Sequence, residues 1–427
     1  MLVATQSAHG RSVAAPTGPT PVAADTPTWI AAPAHTRAQR VRFSVSGGQG
    51  LCIGELRVLG PSRTAPPVLG GDLSFAQQES AAGAGYTDRG VAAAPEQILS
   101  YHGFNYARLR VWVDPPRGYS DLESMLATAR RAHAAGLQLL IDFHYSGFWA
   151  DPDHQATPDA WAGQGLPELR RTVRDYTSRV LDALRAQGTP AGLIQVGNET
   201  RAGMLWPTGK IDFDDAAHGW DAFGSLLRAG VAGAKRAAGP TPRIAIHLDD
   251  GADNDLGRYY FDNIVDQNVD FDLIGLSYYP FFHGAPSDLR TNLDDLSARY
   301  DKDVILLETQ YPWTLGYADD QANICCDPDK LTPGYPATAG GQLALQSDTL
   351  SILAAVPGGH GAGLLYWAPD WLAGVGYSPE AGNPNENLTL FDFSGATLPA
   401  IELRNPIAAC SLYDAGESPC TFDSPAD

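Results

Sequence analysis

Basic residues are in short supply. Against 49 aspartates and glutamates stand 29 lysines and arginines, giving a formal charge of −20 at neutral pH. No basic cluster interrupts the excess, so nucleic acid and anionic membrane surfaces are excluded as expected partners. A neutral substrate fits better. No apolar run of about 20 residues occurs, so no membrane-spanning helix is expected. Cysteine is sparse: Cys52, Cys325, Cys326, Cys410 and Cys420 show no metal-ligand spacing. Cys410 and Cys420 bracket a turn-like segment, which suits a disulfide and an exported protein; the adjacent Cys325 and Cys326 leave their state open. The opening "MLVATQSAHGRSVAAPTGPTPVAADTP" lacks the charged start and compact apolar core of an export leader. Either the chain is cytosolic or its natural start lies upstream. The expected location is extracellular.

What is present is a large core and a regular beat. At 427 residues, 44% hydrophobic and 18% charged, the chain suits one large domain with an appendage. From residue 68, short apolar stretches alternate with segments of helical period. The expected strands are 68–75, 106–113, 137–145, 192–199, 243–250, 272–280, 303–311 and 361–369, with helices such as 121–136, 166–188 and 221–239 between them. Near-continuous apolar strands alternating with helices predict a covered parallel sheet, and eight units predict an α/β fold closed as a (β/α)8 barrel over 68–403. An open nucleotide-binding sheet would want G-x-G-x-x-G after the first strand, and "GGDLSF" does not supply it. Outside the barrel, 1–36 is expected to lack fixed structure, 37–60 to be β-rich, 61–67 to link and 404–427 to form a tail.

Each expected strand ends in polar or aromatic residues. Asp72 ends the first; Arg108, Arg110 and Trp112 the second; Asp142 and His144 the third. Asn198 and Glu199 end the fourth, His247 and Asp249 the fifth, Tyr278 and Tyr279 the sixth, Glu308 the seventh and Trp367 the eighth. A barrel's active site lies on that face. Strands four and seven stand opposite in the ring, so Glu199 and Glu308 can share one substrate, the minimum apparatus for glycoside hydrolysis. An arginine, Arg108 or Arg110, and a tyrosine, Tyr278 or Tyr279, would keep Glu308 ionised as nucleophile, leaving Glu199 as general acid/base. Asn198 would hold a sugar hydroxyl. Trp112, Trp149, Trp161, Trp206, Trp313, Trp367 and Trp371 would offer faces to sugar rings. His144 and His247 lack a third ligand at metal spacing and are expected to bind hydroxyls.

With these residues in hand, the chain resembles the glycoside hydrolase family 53 endo-β-1,4-galactanases. The matching stretches are "GGDLSF", "RLRVWVDP", "LLIDFHYSGFWADPDHQ", "IQVGNE", "LWPTG", "IGLSYYPFFHG", "ETQYPW", "YPATAGGQ" and "LFDFSGATLPA", in family order from residue 68 to about 402. The resemblance implies a retaining barrel enzyme with its acid/base after strand four and its nucleophile after strand seven. It also implies the substrate, the β-1,4-galactan of pectic type I arabinogalactan. Three positions depart from the family: Gly147 in place of an aspartate, Ala368 in place of a glutamate, and Thr200–Arg201 in place of a more amide-rich pair. Some bacterial members bind calcium after strand eight. Here that loop holds Glu386, Asp392 and asparagines without an assignable ligand pattern, so no cofactor is required and structural calcium stays open. A monomer is expected. Residues 37–60 resemble the closing strands of a discoidin-type module. The alternatives are another retaining barrel endo-glycanase, a mannanase or cellulase, and a non-catalytic carbohydrate-binding barrel; hydrolysis of galactan against mannan and glucans separates them.

Overall fold

The computed structural model describes residues 2–6, 40–44, 66–115, 119–213, 219–238, 242–325, 327–378 and 381–404. They fall in two units, Met1–Ser62 and Arg63–Asp427. In the first, strand Leu2–Gln6 pairs antiparallel with Arg40–Ser44, from Leu2 opposite Ser44 to Gln6 opposite Arg40. The strand Leu2–Gln6 lies within 1–36, the stretch expected to lack fixed structure. The second strand expected within 37–60, most of the linker, the tail and Cys52, Cys326, Cys410 and Cys420 lie outside the described residues.

The second unit contains the barrel. Its strands are β1 (Val68–Asp72), β2 (Tyr106–Val111), β3 (Gln138–Phe143), β4 (Ala191–Val196), β5 (Arg243–Leu248), β6 (Leu273–Tyr278), β7 (Asp303–Thr309) and β8 (Gly361–Tyr366). They close in sequence order, every pair parallel, with β8 against β1. Alternation sorts the side chains. Leu140, Leu193, Leu273 and Ile305 fill the bore, whereas Ile141, Ile194, Ile274 and Val304 face outward. The outward set is covered by α1 (Ala76–Ala82), α2 (Pro95–Tyr101), α3 (Leu122–Ala134), α4 (Leu166–Ala186), α5 (Trp220–Ala238), α6 (Asn254–Asp266), α7 (Pro286–Tyr300) and α8 (Ala339–Ala355). Side-chain caps start three of them: Asp121 accepts from Ser124 N, Asp253 from Leu256 N and Thr338 from Gly341 N.

All eight expected strands are present, but each stops two or three residues short of its expected end. The residues beyond belong to loops, and several leave the sheet through left-handed backbone: Tyr145 at φ 54°, Glu199 at φ 46° and Ala368 at φ 42°. Those loops carry Glu199 and Tyr279, while Arg108, Asp142, His247, Ser277 and Glu308 lie within the strands.

Candidate active site

Alternation along β2 places Tyr106, Arg108 and Arg110 inside while Ala107, Leu109 and Val111 join the outer core. Arg108 is 1% exposed and sits at the centre of the upper bore. Its Nη1 meets Asp72 at 2.8 Å, its Nη2 meets Asp142 at 2.9 Å and Glu308 at 2.8 Å, and its Nε donates to Gln195 at 3.0 Å. Nη2 also donates to Asn198 Oδ1 at 2.7 Å. One buried cation thus neutralises and orients three carboxylates, the condition under which such charges can stay buried. Asp72 and Asp142, both expected to touch substrate, each give one oxygen to Arg108, while Asp142 Oδ1 has no hydrogen-bond partner among the described residues.

Glu308 reaches the bore because the sheet is irregular there. Leu276 pairs with Leu306, yet Ser277 pairs with Glu308, so Leu307 is an extra residue and the strand is re-aimed. Tyr279 donates its hydroxyl to Glu308 Oε2 at 2.7 Å. Tyr278 does not take part. It faces the outer core and donates to Gly284 O, since adjacent strand residues point to opposite sides.

Glu199 follows a turn that begins at Gly197 (φ 85°). Gln155 Nε2 holds that turn through the carbonyls of Asn198 and Glu199. Ser277 Oγ donates to Glu199 Oε1 at 2.6 Å, and His247 Nε2 lies 3.0 Å from Ser277 Oγ. Nδ1 of His247 takes the Glu199 N–H at 3.3 Å and the Gln195 amide at 3.0 Å. Nδ1 also lies 3.0 Å from Asn198 Oδ1, which already accepts from Arg108; with Nδ1 accepting from the two N–H groups, Nε2 carries the proton toward Ser277. Burial, and then the Arg108 charge, push the His247 pKa well down, so the ring is neutral. His144 is similarly committed: Nδ1 accepts from Trp112 Nε1 and Ala150 N, and Nε2 meets Asp142. Of the two histidines expected to bind sugar hydroxyls, His247 braces Glu199 through its N–H and Ser277, and His144 braces Asp142. Ser277, Gln195 and Gln155 were missed from sequence; the signal available for Ser277 was its two-residue spacing from Tyr279.

One carboxylate oxygen of Glu199, one of Glu308 and a ring nitrogen of His247 lie within 4.8 Å of one another. Among the described residues this is the one grouping of three such ligands, and it suits a metal poorly: both ring nitrogens are hydrogen-bonded and Glu308 already holds a guanidinium. In the loop after β8, Glu386 Oε1 accepts from Ala318 N and Asp319 N, and Asp319 accepts from Gln321 N and Asn383 N. Those carboxylates fasten one loop to another.

The two acids differ in charge environment. Burial raises the Glu199 pKa well above the carboxylate range, and Glu308 and Asp249 raise it further, opposed by the Ser277 hydroxyl. Burial raises Glu308 too, but Arg108 and then the Tyr279 hydroxyl pull it back. Both acids are raised by burial, Glu199 the further, so of the two Glu199 holds its proton more tightly.

Around them the aromatics divide. Trp149 stacks on Tyr377 (5.3 Å, 8°) and lies 5.2 Å from Trp112 and 6.2 Å from Trp367. Its indole N–H has no partner. Trp313 sits on the loop after β7 beside Phe393, and Trp206 after β4 with its N–H on Ala202 O. Trp371 is fully buried under Phe75, and Trp161 packs on Tyr176 behind α4; neither faces the mouth. Ala368 joins the Phe75–Trp371 cluster. Asn198 keeps its place beside Glu199, its Nδ2 donating to Ala150 O.

A barrel whose open end sets two buried carboxylic acids of unequal proton affinity against each other, beside stacking rings, is built as a glycoside hydrolase. Residues 68–403 match Glycosyl hydrolase family 53, and the chain belongs to that family. An uncharacterised protein of Niallia circulans is 41% identical over 336 residues, 78% of this chain and 91% of its own. The arabinogalactan endo-β-1,4-galactanase of Thermothelomyces thermophilus is 33% identical over 346 residues, 78% of this chain and 97% of its own. The solved catalytic domain of an Ignisphaera aggregans family 53 protein superposes with a TM-score of 0.76 at 34% identity, covering 82% of this chain and 99% of that one.

Proposed function

We propose that this chain is an endo-hydrolase of β-1,4-galactosidic bonds in type I arabinogalactan, acting with retention of configuration. The observation that carries the mechanism is the approach of Glu199 and Glu308, with carboxylate oxygens within 4.8 Å. So close an approach of their nearest oxygens supports the short separation of a retaining pair over the wider one of an inverting pair. The substrate rests on family membership and on relatives such as the Thermothelomyces galactanase.

In the first step Glu308 attacks the anomeric carbon, the glycosidic C–O bond breaks, and the Glu199 proton passes to the departing oxygen. In the second, water adds to the anomeric carbon, its proton goes to Glu199, and the Glu308 ester bond breaks. Arg108 and Tyr279 hold Glu308 aimed and ionised. The Ser277 hydroxyl, held by neutral His247, fixes Glu199 without taking its proton. The chemistry needs two carboxylates and water, so no cofactor enters it.

Glu308→Ala and Glu199→Ala should each lower kcat on potato galactan by about a thousand-fold or more with the fold intact. Proton NMR of early product should show the β-anomer first. Early α-anomer, or hydrolysis of mannan with galactan untouched, overturns the reading.

A further inference from the structure

The two arginines of β2 have opposite fates. Arg108 touches three carboxylates. Arg110, two residues on, is 2% exposed and makes no ion pair among the described residues. Its Nε donates to Ser120 Oγ at 2.9 Å, while Nη1 and Nη2 have no hydrogen-bond partner. Three rings surround the guanidinium, with centroids 4.1 Å (Phe75), 4.3 Å (Trp149) and 4.9 Å (Trp112) from Cζ. Cation–π contact offsets part of its desolvation, but ring faces do not accept the in-plane N–H groups. Asp72, Asp142 and Asp370 act on it through space without touching it, and burial lowers its pKa to about 10, leaving it charged at neutral pH.

Arg110 lines a cleft of about 340 Å³ together with Phe75, Trp112, Phe148, Trp149 and Tyr377. At its mouth Phe148 and Tyr377 are 42% and 38% exposed, and Tyr377 lies flat on Trp149. These rings offer the apolar faces that the C–H side of a pyranose packs against. The fork behind them offers two parallel N–H donors, the geometry that matches a carboxylate.

Resting on the family reading above, we propose that this cleft is a subsite for a carboxylate-bearing sugar, a hexuronate, whose acid group pairs with Nη1 and Nη2 of Arg110 while its ring stacks on the aromatic wall. The two nitrogens are closed to solvent in this structure, so the aromatic wall around them must part to admit the acid group. The site extends the substrate class from neutral galactan to galactan carrying an acidic sugar.

The test is binding of monosaccharides to the whole enzyme, which none of them asks it to cleave, so it succeeds or fails independently of galactan hydrolysis. Galacturonate, galactose and acetate are titrated by calorimetry. Galacturonate should bind about ten-fold or more tighter than galactose, the ratio of one charge-assisted hydrogen-bonded pair, and tighter than acetate. Arg110→Gln, checked for folding by circular dichroism, should abolish the preference, and Arg110→Lys should keep part of it. Should neither variant fold, crystals soaked in galacturonate decide: the carboxylate on Arg110 upholds the proposal, and occupancy elsewhere or nowhere ends it. Equal affinity for galacturonate and galactose, acetate binding as tightly as galacturonate, or a preference surviving in folded Arg110→Gln each overturns it.

Discussion

Asp249 stands beside Glu199, the proposed acid/base, without belonging to the proposed hydrolytic pair. Its carboxyl is 6% exposed, Oδ1 has no partner and Oδ2 lies 3.3 Å from Arg201. Burial raises its pKa to about 6, against the pull of Arg201. Above that pH its negative charge helps Glu199 keep its proton. Asp249→Asn removes the repulsion, so Glu199 should ionise earlier and the alkaline limb of kcat/KM should move to lower pH. The acid limb, set by Glu308, should stay in place. A pH profile on galactan checks this, and an unmoved alkaline limb refutes it. Which residue serves which acid was only partly legible. The sequence announces polar or aromatic residues at every strand end, but not that Arg108 would be shared among Asp72, Asp142 and Glu308 while Arg110 goes without. Partner choice depends on how far strands rise and tilt, which no local pattern encodes.

At the level of elements, strand closure depends on small residues at one seam. Gly363 in β8 has φ 140°, and a Cβ there would lie 1.9 Å from the Val68 carbonyl oxygen of β1. The clash is with backbone, which cannot step aside. Gly363→Ala should therefore cost about 3 kcal/mol or more, read as a lowered midpoint in urea. A loss below about 1 kcal/mol would mean the seam is softer than drawn. The eight strands themselves were legible because a parallel sheet covered on both faces reads as unbroken apolar runs. Their ends were not. The extended pattern continues through Asn198 and Glu199 although pairing stops at Val196, since polar residues lining a mouth look like more strand. The extra Leu307 that turns Glu308 inward is equally silent, and "YY" cannot say which of Tyr278 and Tyr279 faces in until register is known.

Across the whole molecule, stability should lean toward acid. Glu79 is buried under the loop after β8, with Oε1 accepting from Leu372 N at 2.9 Å and Oε2 unpartnered. Burial, then the nearby Asp370, push its pKa up to about 9, and burial with Glu96 raises Asp370 as well. A carboxyl whose pKa is raised by folding binds its proton more tightly in the native state. Its stabilisation is complete below the unfolded value near 4.5 and is lost as pH climbs through about 9. The Tm should fall between about pH 5 and 9, and Glu79→Gln, which keeps the acceptor and cannot ionise, should flatten that fall; an unchanged slope counts against it. The backbone at Glu199 adds a different tension. At φ 46° the chain holds a bulky acid where glycine would rest more easily, next to a second acid that repels it. Hydrolysis is thus maintained against the preference of the scaffold. Were selection for it to relax, a single-base change to glycine would yield a sturdier, silent descendant of the same barrel.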